Sequence, residues 1–149
     1  MTGADDAANP FWNFSLRVYD APGVADACLA LQGRHALDVN LLLFCIWAGR
    51  HGRRLNTAEA AALEAATADW QLHAVQPLRA VRRWLKAQTV TALAGDLREG
   101  VKAHELEAER LEQAILVATL PVETSGSGTP AARSSAMRVS RPAVRRLRG

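Results

Sequence analysis

Four basic side chains are spaced so that they share one face of a helix. Arg79, Arg82, Arg83 and Lys86 stand at positions i, i+3, i+4 and i+7, with apolar residues on the other side. Such a basic stripe is typical of a site for phosphate, nucleic acid or an acidic protein partner. It is also typical of a solvated face that pairs with carboxylates on a neighbouring helix. We predict partner binding at these four residues and leave the second interpretation open.

A second group of side chains has the composition of a ligand pocket. Asn40, Phe44, Trp47 and His51 project from one side of a helix predicted over 38–50. An amide beside two aromatic rings, with an imidazole near the mouth, resembles the lining of small-molecule sites. The alternative is structural: Asn40 satisfies a backbone group, and the apolar run 41–48 belongs to the core.

Motifs for catalysis, metals or cofactors are not found in the sequence. None of the histidines follows a Glu by three residues, as the ligands of di-iron bundles do. Cys28 and Cys45 form no CxxC pair and are expected to be reduced thiols inside the fold. P-loop, dinucleotide and nucleophile-elbow motifs are also missing. We therefore predict no catalytic residue, no metal and no cofactor, and the balance is against an enzyme.

The net charge of +3 is unevenly distributed along the chain. Residues 124–149 contain six arginines and no acid, whereas residues 1–123 contain 12 basic and 15 acidic side chains. A Ser-, Gly-, Pro- and Arg-rich tail of this kind is expected to be disordered. Its arginines could give weak, salt-dependent nucleic-acid binding, which a chain ending at Glu123 would lose. The tail has no aromatic residues to stack on bases.

The remaining residues predict a single all-α domain. Ala, Leu, Arg and Glu dominate the middle of the chain, and these residues favour helices. Helices are predicted over 10–19, 22–35 and 38–50, with Asn9 and Asp38 as caps and Pro22 opening the second. A fourth helix over 57–88 begins with Asn56 and Glu59 as a capping box and is expected to kink or break at Pro77, dividing into 57–75 and 76–88.

The last predicted helix has the clearest periodicity. Apolar residues and one histidine recur at intervals of three and four, which predicts a buried seam. The seam consists of Val101, His104, Ala108, Leu111, Ile115 and Ala118. Glu105, Glu109 and Glu112 are then expected to point outward, and His104 to be a hydrogen-bonded core residue.

These elements predict a helical bundle of five or six helices over 9–120, between disordered segments at 1–8 and 121–149. The apolar run 41–48 is too short to cross a bilayer, which takes about 20 residues. The acidic N-terminus lacks the apolar stretch of a signal peptide, so a cytoplasmic location is expected.

Several segments resemble a family of short proteobacterial proteins catalogued as a domain of unknown function. The resemblance rests on FWNFSL at 11–16, GVADACLALQ at 23–32, DVNLLLF at 38–44 and PLRAVRRWLK at 77–86. It covers about residues 9–120 and leaves out the tail. It implies a soluble bacterial protein and carries over no activity, cofactor or catalytic residue.

The leading functional hypothesis is a non-catalytic adaptor that binds a protein partner through the basic stripe. The alternatives are a small-molecule-binding protein or unrecognised enzyme with a pocket against the third helix, and weak nucleic-acid binding through the tail. The adaptor hypothesis predicts that changing Arg79, Arg82 and Arg83 to Glu abolishes partner capture and preserves the fold.

Overall fold

The computed structural model describes residues 9–88 and 91–124, and this part of the chain is helical without any strand. The six α-helices are α1 (Pro10–Tyr19), α2 (Val24–His35), α3 (Val39–Arg50), α4 (Thr57–Trp70), α5 (Gln76–Ala87) and α6 (Thr91–Thr119). A π-helical segment, Gln71–Val75, joins α4 to α5. The all-α prediction is confirmed, while residues 1–8 and most of the tail lie outside the described residues.

Three of the predicted helix starts are formed by side-chain caps. The Asn9 side chain accepts a hydrogen bond from a first-turn amide of α1, and Asp38 accepts two from the first turn of α3. Asn56 and Glu59 form the predicted capping box, since each side chain accepts from the other's backbone N–H. Each such cap is worth about 1 kcal/mol, because it satisfies amides that have no partner within the helix.

The start of α2 differs from the prediction. Pro22 does not open the helix, which begins two residues later at Val24. Gly23 precedes it with φ of +79°, a left-handed conformation that glycine adopts without strain.

The predicted disturbance at Pro77 is confirmed and takes the form of a wide turn. Pro77 has no N–H to donate to His73, and its ring would clash with that carbonyl in a regular α-helix. The backbone accommodates this by a π-helical turn, in which the N–H of Gln76 donates to the carbonyl of Gln71. The chain therefore continues from α4 to α5 without a loop.

The apolar core lies where α1 and α3 meet. The rings of Phe11, Phe44 and Trp47 contact one another, with centroid separations of 5.1 to 5.8 Å. Leu63 from α4 and Leu116 from α6 complete this core. We call Phe11, Phe44 and Trp47 the aromatic core; burying each such side chain contributes about 1.5–3 kcal/mol.

Helix α6 is the common partner of the other elements. It packs against α1, α3, α4, the π-helical segment and α5, whereas α2 contacts only α1 and α3 to a comparable extent within the described chain. Cys28 is buried and Cys45 partly buried, and both thiols are free.

Candidate functional site

Helix α6 turns a polar face toward the interior. Glu105, Glu112 and Gln113 are buried together with Ala108 and Leu116. The predicted seam is therefore wrong at three of its six positions, since His104 and Ala118 are exposed and Leu111 is 40% exposed. Ala108 is buried, and Val101 and Ile115 are half-buried. The expectation that Glu105, Glu109 and Glu112 point outward is also wrong, since two are buried and Glu109 is half-buried. The physical reason is that the facing helices present amide and guanidinium groups that match these carboxylates.

Five of the buried or half-buried polar side chains form a continuous hydrogen-bonded chain, which we call the amide network. Its members come from α1, α3, the π-helical segment and α6: Ser15, Asn40, Gln71, Glu112 and Gln113. Asn40 Nδ2 donates to Glu112 at 2.8 Å, and Gln113 Nε2 donates to Asn40 at 2.9 Å. Gln71 Nε2 lies 2.9 and 2.7 Å from the two Glu112 oxygens, and Ser15 donates to Gln113 at 3.2 Å. The network thus connects four elements through directional bonds.

Glu112 is the centre of the amide network and is fully buried, and no cation among the described residues forms an ion pair with it. Burial, followed by the neighbouring Asp38 carboxylate, raises its pKa to about 8, although the hydrogen bonds from Gln71 and Asn40 act to lower it. This shift favours the protonated form of the Glu112 carboxyl at neutral pH. This removes most of the cost of placing an acid in the interior.

Two arginines of α5 pair with two glutamates of α6, and we call these four residues the ion-pair cluster. Arg79 contacts Glu105 at 3.1 Å and Glu109 at 2.8 Å. Arg82 contacts Glu105 through Nε and, at 3.2 Å, through Nη2. Burial acts to raise the pKa of Glu105, but the hydrogen bonds from Arg82 and Arg79 outweigh it and the pKa is lowered. Burial prevails at Glu109, whose pKa is raised despite Arg79.

A cavity of about 270 Å³ opens beside both groups, between α1, α3 and α6. Its polar lining combines members of the amide network and the ion-pair cluster with three further side chains, Asp20, Gln32 and Lys102. The members are Ser15, Asn40, Gln113, Arg82, Glu105 and Glu109. Its other wall is formed by aromatic and aliphatic side chains: Trp12, Leu16, Tyr19, Val39, Leu43 and Leu106. Leu16, Tyr19 and Leu106 are each about 40–50% exposed, so they mark the mouth.

Residues 10–116 match the family model described as "Protein of unknown function (DUF2390)". The chain belongs to this family. The predicted resemblance to a domain of unknown function is thereby confirmed. Among curated proteins and among solved structures, no matching relative is found. The family range includes every residue of the amide network, the ion-pair cluster and the cavity lining.

The predicted basic stripe is divided by the structure. Arg79 and Arg82 face α6 and belong to the ion-pair cluster, so the alternative of pairing with the acidic flank holds for them. Arg83 and Lys86 are exposed at i+4 and i+7 from Arg79, and the exposed Trp84 projects about 100° around the helix from Arg83. Partner binding by these residues stays a prediction.

The residues of the predicted pocket do not line one cavity. Asn40 reaches the cavity between α1, α3 and α6, whereas Phe44 is fully buried in the aromatic core. Trp47 and His51 line a separate hollow near the end of α3. The rise along the helix explains this, because positions 40 and 51 lie about 16 Å apart along the axis and meet different neighbours.

Sequence reasoning missed the most strongly buried polar residues of the site. Glu105, Glu109 and Glu112 recur at i, i+4 and i+7, a spacing that defines one helix face as clearly as the apolar seam does. Arg79 and Arg82 supply the matching spacing on the preceding helix. These matching spacings could have been recognised from the sequence. They were overridden by the general expectation that charged residues lie on the surface.

Two further findings concern the described residues alone. No three His, Cys, Asp or Glu side chains come together there as a potential metal site. None of the helices in that part of the chain has the length and apolarity needed to cross a membrane.

Proposed function

We propose that this protein binds a small organic molecule in the cavity between α1, α3 and α6. The observation that carries the proposal is the convergence of buried polar side chains on a cavity whose opposite wall is aromatic and aliphatic. Small-molecule sites commonly combine an apolar lining with a few fixed polar groups. The position of Asn40 in this wall supports the pocket hypothesis more directly than the basic stripe supports the adaptor hypothesis.

Stability alone does not explain why the cavity wall is polar. Buried ion pairs often contribute no more to stability than well-packed apolar residues of similar volume. An apolar version of α6 would satisfy the same packing without the desolvation of Glu105 and Glu109. Polar groups that are held in place by a network, and that border a cavity, are suited to orienting a ligand.

The hydrogen-bonding capacity left in the wall indicates the ligand chemistry. Within the amide network, Gln113 donates to Asn40 and accepts from Ser15, so its two polar atoms are already engaged. Glu109 accepts from Arg79 through one oxygen, and a carboxylate can accept about four hydrogen bonds. A ligand with an N–H donor, such as an amine or amide, and an apolar body would use this remaining capacity.

The full chain labelled with 5-fluorotryptophan provides the test, because Trp12 lines the cavity. Small amines and amides carrying an apolar group are titrated while the ¹⁹F resonances are recorded, with the matching alcohols as controls. We expect saturable movement of the Trp12 resonance for the N–H compounds. Trp70 serves as an internal reference, since its indole nitrogen donates to the Ala108 carbonyl in the interior.

Two variants distinguish binding in the cavity from binding elsewhere. Glu109→Met removes the acceptor and should weaken binding about tenfold, with exposed Glu107→Met as its control. Leu106→Phe narrows the mouth and should weaken binding, whereas Leu97→Phe, exposed elsewhere on α6, should not. Unchanged affinity in both Glu109→Met and Leu106→Phe, or no movement of Trp12 with any compound, contradicts the proposal.

A second candidate function is the predicted adaptor role, which we propose for the exposed side chains Arg83, Trp84 and Lys86 of α5. Trp84 is 63% exposed and directly follows Arg83 in the sequence, and Trp and Arg are enriched among the residues that anchor protein interfaces. An acidic partner with an apolar patch fits this surface.

The structure changes how the adaptor role should be tested. Reversing Arg79 and Arg82 would break the ion-pair cluster, so loss of capture would not separate binding from folding. Trp84→Ala with Arg83→Glu and Lys86→Glu leaves the cluster intact and should abolish capture of a specific acidic protein. Arg34→Glu and Arg54→Glu, at exposed positions elsewhere, are the matched controls. Equal capture by both sets of variants excludes this surface.

A further inference from the structure

A second concave region lies between α1 and the C-terminal end of α3, with a volume of about 680 Å³. Arg17 from α1, and Arg50 and His51 from the end of α3, border it. The rings of Phe14 and Trp47 form its buried floor. All the ionisable side chains in this lining are basic, in contrast to the mixed charges around the cavity of the proposed function. We call this region the basic hollow.

The arginines of the basic hollow differ from those that hold the fold together. Arg53, Arg79, Arg82 and Arg110 each form an ion pair with a glutamate. Over residues 9–88 and 91–124, neither Arg17 nor Arg50 has a carboxylate within ion-pair distance. Their positive charge is therefore left uncompensated by the described part of the chain.

Aromatic contacts hold two of these groups, Arg50 and His51, at the hollow. The Arg50 guanidinium carbon lies 5.7 Å from the centroid of the Phe14 ring, which is a cation–π contact. The His51 ring meets Trp47 edge-on at 5.2 Å. Arg17 and Arg50 each stand in the last turn of a helix, where the dipole favours a cation. The helix dipole explains why a cation stands at each of the two helix ends. It does not explain why two arginines and a histidine border the same hollow.

We propose that the basic hollow binds a small organic anion, with its carboxylate or phosphate held by Arg17 and Arg50. Guanidinium groups form strong charge-assisted hydrogen bonds with both oxyanions. The apolar body of the ligand contacts Pro10, Val18 and Ala21 along α1. This site is separate from the cavity at Trp12 and does not depend on the proposed function.

The same ¹⁹F-labelled full chain tests this proposal through Trp47. Benzoate, phenyl phosphate, inorganic phosphate and uncharged benzamide are titrated at constant ionic strength. We expect saturable movement of the Trp47 resonance with benzoate or phenyl phosphate, weaker binding of inorganic phosphate, and none of benzamide. Comparing benzoate with phenyl phosphate distinguishes a carboxylate site from a phosphate site. Movement at Trp12 instead of Trp47 would assign the compound to the other cavity and count against the hollow.

Variants separate a built site from general attraction of anions. Arg17→Gln with Arg50→Gln should weaken binding at least about tenfold, because charge-assisted hydrogen bonds are lost. Arg34→Gln with Arg54→Gln removes two exposed charges elsewhere and should leave the affinity unchanged. If loss of the Arg50 contact with Phe14 destabilises the double variant, Arg17→Gln alone provides the same test, because Arg17 is exposed. Equal weakening by the control pair, or movement of Trp47 by benzamide to the same extent, overturns the proposal.

Discussion

In the aromatic core, α1 and α3 meet through Phe11, Phe44 and Trp47, whereas α6 meets α3 and α5 through carboxylates, amides and guanidinium groups. The first contact depends on shape and apolar area, and tolerates changes that keep volume. The second depends on donors and acceptors at fixed distances, so it specifies which residues face one another. Two parts of the same interior thus respond differently to mutation and to pH.

The largest effect is expected in the aromatic core. Phe44→Ala removes a fully buried ring and should lower the free energy of unfolding by about 3–5 kcal/mol, since a cavity remains. Urea denaturation followed by circular dichroism measures this. Ile46 lies on the same helix and is 46% exposed in the wild type. Ile46→Ala is therefore the control and should lower the free energy of unfolding much less. Similar losses at both positions would contradict the assignment of Phe44 to the core.

The ion-pair cluster should come next. Glu105→Gln leaves Arg79 and Arg82 without their shared carboxylate and should cost about 3 kcal/mol in the same assay, because the arginines stay partly buried. Glu107→Gln breaks an exposed pair with Arg110 on the same helix and should cost about 0–1 kcal/mol. A difference of less than about 1 kcal/mol between these variants would mean that the cluster is as weak as a surface pair.

The amide network should make stability depend on pH in an uncommon direction. Because the folded-state pKa of Glu112 lies above its ordinary value, the folded protein binds this proton more tightly than the unfolded chain does. The contribution of Glu112 is fully present below about pH 4.5 and is lost as the pH rises through about 8. Over that window, this group lowers the unfolding free energy by up to about 1.4 kcal/mol per pH unit.

Replacing the carboxyl by an amide isolates this contribution. Glu112→Gln keeps the size of the side chain and carries no ionisable proton, so its stability between pH 5 and 8 should be flatter than that of the wild type. Glu105, with a lowered pKa, acts in the opposite direction, and its contribution is lost as the pH falls. Exposed Glu99→Gln is the control and should retain the wild-type slope. An unchanged slope in Glu112→Gln would show that Glu112 is ionised in the folded state.

The smallest effect is expected at His104. Periodicity predicted it to be a hydrogen-bonded core residue, but it lies on the exposed face of α6. His104→Ala should therefore change stability by less than about 0.5 kcal/mol. Chemical denaturation measures this. In the same assay Leu116→Ala should lower the free energy of unfolding by about 2–5 kcal/mol, which sharpens the contrast between the two faces of α6.

The same comparison explains how far the sequence could predict the structure. The caps at Asn9, Asp38 and Asn56 were predictable because each depends on atoms within one turn. The aromatic core was predictable because its residues are apolar and follow helical spacing. The buried face of α6 was not, because the burial of Glu105 depends on Arg79 and Arg82 across the interface. Of the predicted pocket residues only Asn40 lies in the cavity, because the polar lining of the cavity is assembled from several helices.

The π-helical segment has a consequence for chain length. A π turn holds one residue more than an α turn, so Gln71–Val75 accommodates what is in effect a one-residue insertion. Because the wide turn absorbs the extra residue, α4 and α5 keep nearly the same phase that one continuous α-helix would give them. Deleting one residue there would therefore leave Arg79 and Arg82 facing Glu105, but it would place the Pro77 ring against the carbonyl four residues earlier. The chain thus cannot shorten at this turn while Pro77 is present without straining the junction between α4 and α5.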